Sequence, residues 1–371
     1  MNTFSLKLRI LFIQFILLVL ATGCKDNPVA NDPGLNTPYQ ISYHKIVDQN
    51  WEIYVNSLKG DYPRNISVSK YEDSYNSWSP DGKYIAYAHF FKDPFTRTDI
   101  YLYNIETGQC QNLTPEDGFD AAVPRWTPDG KKIIFDYHKI SENPCTYIMN
   151  VDGTGKRKLL NYQLFRLYFL ADNYSFIYQL STFDNTEDNI YISNLDGTYN
   201  DLVVNLKTIS SDYATVFGFN PNRNELLLLI SNDPKQPNYL ASYNINTKKV
   251  VRLIAPSEGY YILGANFSKD CSLIAYLEKK NDDQKQRMCV YDLKTGSAKT
   301  IIELDNQDGF FDHVPPIFSP NNKYIAYVKD VYQPGTWVSW KSYLYTVDLS
   351  TNNIQFLDEA DDPFWNPKFR Y

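Results

Sequence analysis

The run Trp78-Ser-Pro-Asp-Gly-Lys-Tyr-Ile-Ala-Tyr87 sets an aromatic residue, a Pro-Asp-Gly turn and an alternating apolar strand in immediate succession. The same order returns along the chain. Trp126-Thr-Pro-Asp-Gly130 is nearly identical, and weaker copies start at Phe169, Phe219, Phe267, Phe318 and Trp365, at intervals of 43 to 51 residues. A period in this range is the mark of a repeat architecture, so it governs how every other residue is read.

Each copy has one internal grammar. After the turn, Tyr84-Ile-Ala-Tyr-Ala88 has the alternation and β-branched and aromatic content of a strand. A loop leads to a further strand, Asp99-Ile-Tyr-Leu-Tyr103, then to the turn Glu106-Thr-Gly108 and a short strand ending near Leu113. The later hairpin recurs from Ile53-Tyr-Val55 to Tyr343-Leu-Tyr-Thr346, with turns such as Val151-Asp-Gly153 and Leu195-Asp-Gly197. Gly supplies the positive φ of such turns, and Asn or Asp tolerates it. The unit is therefore four antiparallel strands joined by hairpins.

The chain ends complement each other. The first hairpin, from Trp51 to Ile66, has a strand before it at Tyr39 to Ile46 but no innermost aromatic strand, whereas the aromatic strand at Trp365 has nothing after it but Pro367 to Tyr371. Joining the C-terminal strand to the N-terminal three would complete a sheet and remove exposed edges. The expected fold is an all-β, seven-bladed β-propeller over residues 39–371, with about 48 residues per blade.

At this point the chain resembles a known group. The run from Trp78 to Tyr87, with Ile-Tyr and Asp-Gly or Thr-Gly downstream, is similar to the WD40-like repeats of TolB-type β-propellers. Related blades occur in the propeller domains of prolyl oligopeptidases and in oligogalacturonate lyases. The resemblance implies the fold; function has to be argued from a site.

The N-terminus reads as an export signal. Lys7 and Arg9 precede the apolar stretch Ile10 to Leu20, broken by Gln14, and Ala21-Thr-Gly-Cys24 follows. A basic start, an apolar core of about 11 residues and small residues before a cut site form a secretory leader, too short to span a bilayer. Gly23-Cys24 resembles the lipobox of bacterial lipoproteins, which implies a leader over 1–23 and lipidation at Cys24. Residues 24–38, rich in Asn, Pro, Asp and Gly, then form a tether. The expected location is the cell envelope, lipid-anchored at the outer membrane, on its periplasmic face or at the cell surface.

Losing Lys7 and Arg9 with the leader takes the net charge from −7 to −9. So acidic a body argues against nucleic acid, which requires clustered Lys and Arg. Cys110, Cys145, Cys271 and Cys289 could form two disulfides in any of three pairings or remain thiols, and no Cys-x-x-Cys supports zinc. Neither a Gly-x-Ser-x-Gly elbow, a phosphate-cradling glycine loop nor His-Glu-x-x-His occurs.

Candidate site residues are those that the repeat brings to one face. His44, His89 and His138 end the second strands of successive blades, and His313 leads into an innermost strand. Neutral imidazoles from several elements can hold a divalent metal, and the oligogalacturonate lyase resemblance implies a histidine-rich metal site. Two leading loops read alike, Asp117-Gly-Phe-Asp120 and Asp308-Gly-Phe-Phe-Asp312. Asp120 and Asp312 either bond a ligand or cap their own loops. Arg125 either holds an anion such as a uronate or pairs with Asp120. The 31 Tyr and 21 Phe exceed the needs of a core, so Tyr260, Tyr261, Tyr332, Trp337 and Trp340 are candidates for exposed contacts, the last two in the longest loop.

The reading is a monomeric, cofactor-free propeller that binds an envelope protein or glycan as a scaffold module. The alternative is a metal-dependent polysaccharide lyase using the histidines.

Overall fold

The structure, a computed structural model, describes residues 39–368 except 68, 92–96, 116–119, 140–141, 165, 182–187, 211, 233–235, 282–284, 306–307, 312–314 and 334–339. Its strands form successive antiparallel meanders. The first holds β1 (Ile41–Val47), β2 (Asn50–Asn56) and β3 (Arg64–Asn65); the next holds β4 (Asp73–Trp78), β5 (Tyr84–Phe90), β6 (Thr98–Asn104) and β7 (Cys110–Asn112). There follow β8 (Asp120–Trp126), β9 (Lys132–His138), β10 (Cys145–Asn150) and β11 (Arg157–Leu160), then β12 (Arg166–Phe169), β13 (Ser175–Ser181), β14 (Asp188–Asn194) and β15 (Asn200–Asn205). The fifth is β16 (Tyr213–Asn220), β17 (Glu225–Ser231), β18 (Tyr239–Asn244) and β19 (Val250–Ile254); the sixth is β20 (Tyr260–Phe267), β21 (Leu273–Lys280), β22 (Lys285–Asp292) and β23 (Ser297–Asp305). Last come β24 (Phe310–Phe311), β25 (Ile317–Phe318), β26 (Tyr324–Tyr332), β27 (Trp340–Asp348) and β28 (Ile354–Glu359), followed by β29 (Asp361–Trp365).

The fold is an all-β propeller of antiparallel four-stranded blades. Its sheet count differs from the expected seven. Five sheets stand as separate blades: β29-β1-β2-β3, β12 to β15, β16 to β19, β20 to β23, and β24 to β28. The remaining sheet has eight strands, β4 to β11, because a parallel bridge between Thr98 and Asp120 runs two meanders together. Strand β29 pairs with β1 through Ile41↔Trp365 and Ser42↔Phe364.

The turn chemistry explains the sequence repeat. Ser79 Oγ donates to Asp81 Oδ1 (2.6 Å) and accepts from Tyr84 N (2.9 Å), while Lys83 N donates to Asp81 Oδ1 (3.1 Å). Thr127–Asp129, Ser268–Asp270 and Ser319–Asn321 repeat the hydroxyl-to-acceptor bond. A hydroxyl and a short acceptor two residues on satisfy the backbone donors that the turn would orphan. Gly82 (φ 71°) is required twice over, by its left-handed backbone and because the Asn366 side chain occupies the space a Cβ would need.

Much of the tyrosine excess has a structural cause within the sheets. Second and third strands of a blade place tyrosines directly opposite each other: Tyr43↔Tyr54, Tyr87↔Tyr101, Tyr178↔Tyr191 and Tyr327↔Tyr345. Ring centroids in these pairs lie 5.5 to 5.9 Å apart. The equivalent positions elsewhere hold Phe135↔Tyr147, Tyr276↔Cys289 and Leu228↔Ala241. Such cross-strand aromatic pairs contribute roughly 0.2–1 kcal/mol each beyond small residues. Tyr260, expected to be exposed, is buried under the Arg287 guanidinium, 4.4 Å from its ring centre. Tyr261 is half-buried, and of the five aromatic candidates Tyr332 is the described side chain that stands exposed.

Between neighbouring sheets lie apolar clusters, such as Ile177 with Leu226, Leu228 and Ile230, and Ile41 with Ala326, Leu344 and Trp365. Burying each Leu or Ile stabilises by about 1.5–3 kcal/mol. The repeated tryptophans add direction to this packing. Each indole N–H crosses to a carbonyl of another meander: Trp126 to Ser77 O (3.1 Å), Trp78 to Phe364 O (3.2 Å) and Trp365 to Ile317 O (2.9 Å). At Phe169, Phe219, Phe267 and Phe318 the ring has no donor. Among the described residues no helix is long and apolar enough to cross a membrane.

Candidate functional site

The indole tethers keep β29, β4 and β8 in step, so the strand starts Asp361, Asp73 and Asp120 lie at the same end of the propeller. Each strand is bulged three residues before its tryptophan. The register against the neighbouring strand shifts at Ser74/Ser77 in β4, at Ala122/Arg125 in β8, and at Ser42/His44 where β1 meets β29. The residues that absorb the shift are Tyr75 (φ 56°), Val123 (φ 53°) and Asp362 (φ 45°). Left-handed backbone at a tyrosine and a β-branched valine costs on the order of 1–3 kcal/mol and marks sites where structure is bent to a purpose.

Next to each bulge an imidazole meets a carboxylate through Nδ1. His89 is 2.7 Å from Asp73 Oδ1, His44 is 3.4 Å from Asp362 Oδ2, and His138 is 3.8 Å from Asp120 Oδ2. The register accounts for this, since Asp73↔His89 and Asp120↔His138 are directly paired, and Asp361 stands opposite His44. The sequence placed the three histidines at the same end. It missed their partners, although an aspartate three to six residues before Trp78, Trp126 and Trp365 was the available signal.

The pairs differ in depth. Asp73 is fully buried, its Oδ2 has no hydrogen-bond partner among the described residues, and burial pushes its carboxyl up to about 7 against the opposing pull of His89. Glu52 lies buried in the same cluster, accepting from Ser67 Oγ at 2.7 Å, and burial raises its carboxyl as well. Phe91 and Tyr101 wall in His89 at 4.6 and 4.9 Å between ring centres. Asp120 is part-exposed, and its carboxyl is raised by burial, with His138 pulling the other way.

The structure places Asp120 and Arg125. Asp120 is the first residue of β8 and faces His138 across the sheet. Arg125 pairs with Asp136 (3.1 Å) and not with Asp120 as expected, and also donates to Val123 O and Leu164 O, because β8 turns its side chain towards the adjacent strand β9 and the 163–164 loop. Gln163 completes that carboxylate's shell at 3.1 Å. Arg125 therefore braces the bulge.

Cys110, Cys145, Cys271 and Cys289 are free thiols. Among the described residues no group of three or more His, Cys, Asp or Glu side chains is placed to hold a metal ion. Cys24, Asp312, His313 and Trp337, and the side chain of Trp340, lie outside the described residues. The arrangement at this end is thus a set of separate imidazole–carboxylate pairs beside strained bulges, with Tyr75 and Phe364 exposed.

No protein-family model matches the chain. Over 57 residues it is 37% identical to the Tol-Pal system protein TolB of Alcanivorax borkumensis, a stretch making up 15% of this chain and 12% of that protein. Over 65 residues it is 43% identical to dipeptidyl-peptidase 5 of Porphyromonas gingivalis, 16% of this chain and 9% of that one. The chain thus covers far less than two thirds of either relative. A solved oligogalacturonate lyase in complex with manganese superposes with a TM-score of 0.58 at 10% identity, covering 85% of this chain and 84% of that one. At that identity the likeness is one of fold. Its repeats being alike in sequence to a stretch of TolB and its blades being four-stranded and antiparallel, the chain is a TolB-like β-propeller.

Proposed function

We propose that this protein is an envelope-located binding module, lipid-anchored at Cys24, whose partner is a protein or glycan engaging the end of the propeller where β29, β4 and β8 begin. One observation carries the reading: three non-glycine left-handed bulges stand in step at one end, and two of them leave aromatic side chains, Tyr75 and Phe364, exposed. We further propose that the eight-stranded sheet counts as two blades, giving seven, and that the pairing of β29 with β1 closes the ring. The leader, the tether and the acidic body fit an exported module; the TolB-like repeats fit protein binding.

The test is photo-crosslinking in cells from position 75, with position 251 on β19 as control, since Val251 is equally exposed but on an outer strand. A discrete crosslinked product from position 75 alone is expected in the membrane fraction, and Cys24→Ser is expected to move the protein out of that fraction. Equal products from both positions, or none from 75, would remove this end as the binding surface.

The second reading, a metal-dependent polysaccharide lyase, draws on the fold shared with the manganese-bound lyase and on four histidines assigned to one face. It requires His313 to join at least two of His44, His89 and His138 around one ion. Elemental analysis of chelator-free protein decides it. The binding module is expected to carry less than about 0.1 equivalent of Mn, Zn or Ca, whereas the lyase requires a stoichiometric ion that is lost in His89→Ala, His313→Ala.

A further inference from the structure

We propose that the partner at this end is a protein segment that seats an arginine side chain between Tyr75 and Phe364, with Asp362 as its counter-ion. This rests on the binding reading above and names the chemistry of its occupant.

The argument starts from an indole that can only donate. Trp78 Nε1 donates to Ser42 Oγ at 2.9 Å, so the Ser42 hydroxyl proton is free to go to Asn76 Oδ1 at 2.6 Å. That bond orients the Asn76 amide, whose Nδ2 then donates to His44 Nε2 at 2.9 Å. A neutral His44 accepting at Nε2 carries its proton on Nδ1, and Nδ1 faces Asp362 Oδ2 at 3.4 Å. Every donor in the series points the same way, and the series ends on a carboxylate.

Ser42, Asn76 and His44 are buried, yet the Asp362 side chain is 48% exposed. A buried polar network is costly unless every member is satisfied. Here its members converge on one group that solvent and ligands can reach. Among the described residues Asp362 meets that imidazole and no lysine or arginine. The nearest basic residue along β1, Lys45, is committed to Asp358 at 2.6 Å.

Two exposed aromatic residues belong to the same strand ends as the carboxylate. Phe364 is two residues along β29, 37% exposed, with its ring 6.4 Å from His44. Tyr75, 48% exposed, precedes Asn76 on the neighbouring innermost strand. The left-handed conformations of Tyr75 and Asp362 are what bring aromatic and acid to the surface instead of into the pleat. An anion flanked by aromatic faces selects a flat cation: a guanidinium stacks on the rings and pairs with the carboxylate, which an ammonium does less well.

The test titrates the full chain with acetyl-Gly-Arg-Gly-amide, followed by NMR, beside the peptide with citrulline in place of arginine. Citrulline keeps the shape and removes the charge. The arginine peptide is expected to bind at least fivefold more tightly than its citrulline counterpart. Asp362→Asn, which keeps an acceptor for His44 and tolerates the left-handed backbone, is expected to abolish that preference, and Phe364→Ala to weaken binding at least threefold, both at unchanged melting temperature. Equal binding of the two peptides, a preference that survives Asp362→Asn, or no binding of the arginine peptide would each overturn the proposal. Tighter binding of glucosamine than of the peptide would overturn it in favour of a glycan. Crosslinking from position 75 reports separately on whether this end binds a partner at all.

Discussion

Ending the chain at Ala360 is expected to lower the melting temperature by about 5–15 °C, or to leave the protein unfolded. The removed segment is short, but several parts of the fold depend on it. Trp365 is almost completely buried among Ile41, Tyr43, Ala326 and Leu344, and a buried tryptophan truncated to alanine costs about 3–5 kcal/mol. At roughly 2–4 °C per kcal/mol for a large domain, the smallest of these figures already gives a loss of about 6 °C. The remainder comes from backbone. Phe364 O is the acceptor for Trp78, Asn366 N donates to Gln40 O at 2.8 Å, and Asn366 Nδ2 bonds Tyr39 O at 3.1 Å. Losing β29 also turns β1 into an open edge carrying Ile41 and Tyr43. Trp365→Phe, which keeps the ring but loses the bond to Ile317 O, should fall between the two chains. A truncated chain that melts with the full-length one would show that β29 contributes nothing, and the closed seven-bladed ring would be wrong.

Asp73 sets the second large effect, on pH dependence. Its carboxyl rises from 3.8 to about 7 in the folded protein, burial being the main cause and His89 the main opposing influence. Between those values the folded state holds a proton that the unfolded state has released. Stability from this group is therefore present at low pH and lost as pH climbs from about 4 to about 7, on the order of 4 kcal/mol in all. Glu52, raised in the same cluster, acts in the same direction. Other groups facing Asp73 are His89 from β5 and, around that imidazole, Tyr71 and Tyr101. Carboxylates held low in turns, such as Asp270 at about 2, pull the opposite way, so the comparison must be with a variant. Urea unfolding of wild type and Asp73→Asn at pH 4.5 and pH 7.5 isolates the contribution. The variant should lose markedly less stability than wild type on going to pH 7.5. Parallel profiles would mean that Asp73 is ionised in the fold at little cost.

The fold was legible because its signals are local. A Ser-Pro-Asp-Gly turn after an aromatic is a mechanism written in consecutive residues, and it identified the blade. The sheet count was less legible, since the parallel Thr98–Asp120 bridge joins strands of two different repeats and no local signal announces it. The site was legible by half. Their positions at strand ends put His44, His89 and His138 at one end, but their carboxylate partners are set by register, which bulges at Tyr75, Val123 and Asp362 shift by a residue. No rule of sequence assigns left-handed backbone to a valine. The tyrosine surplus misled for a related reason: its explanation is a pairing across strands fourteen residues apart for Tyr87 and Tyr101, invisible when residues are counted.

The uneven distribution of indoles has a mechanical consequence. Where Trp365, Trp78 and Trp126 reach across, a short directional bond from the ring itself resists one meander sliding along the next; where phenylalanine stands in the same position, the ring adds dispersion only. The indole bonds therefore add shear stiffness on the side that holds Tyr75, Val123 and Asp362, a contribution missing at Phe169, Phe219 and Phe267. Strain stored in three left-handed residues can persist only on a frame that does not yield, and the stiff side is where they are found.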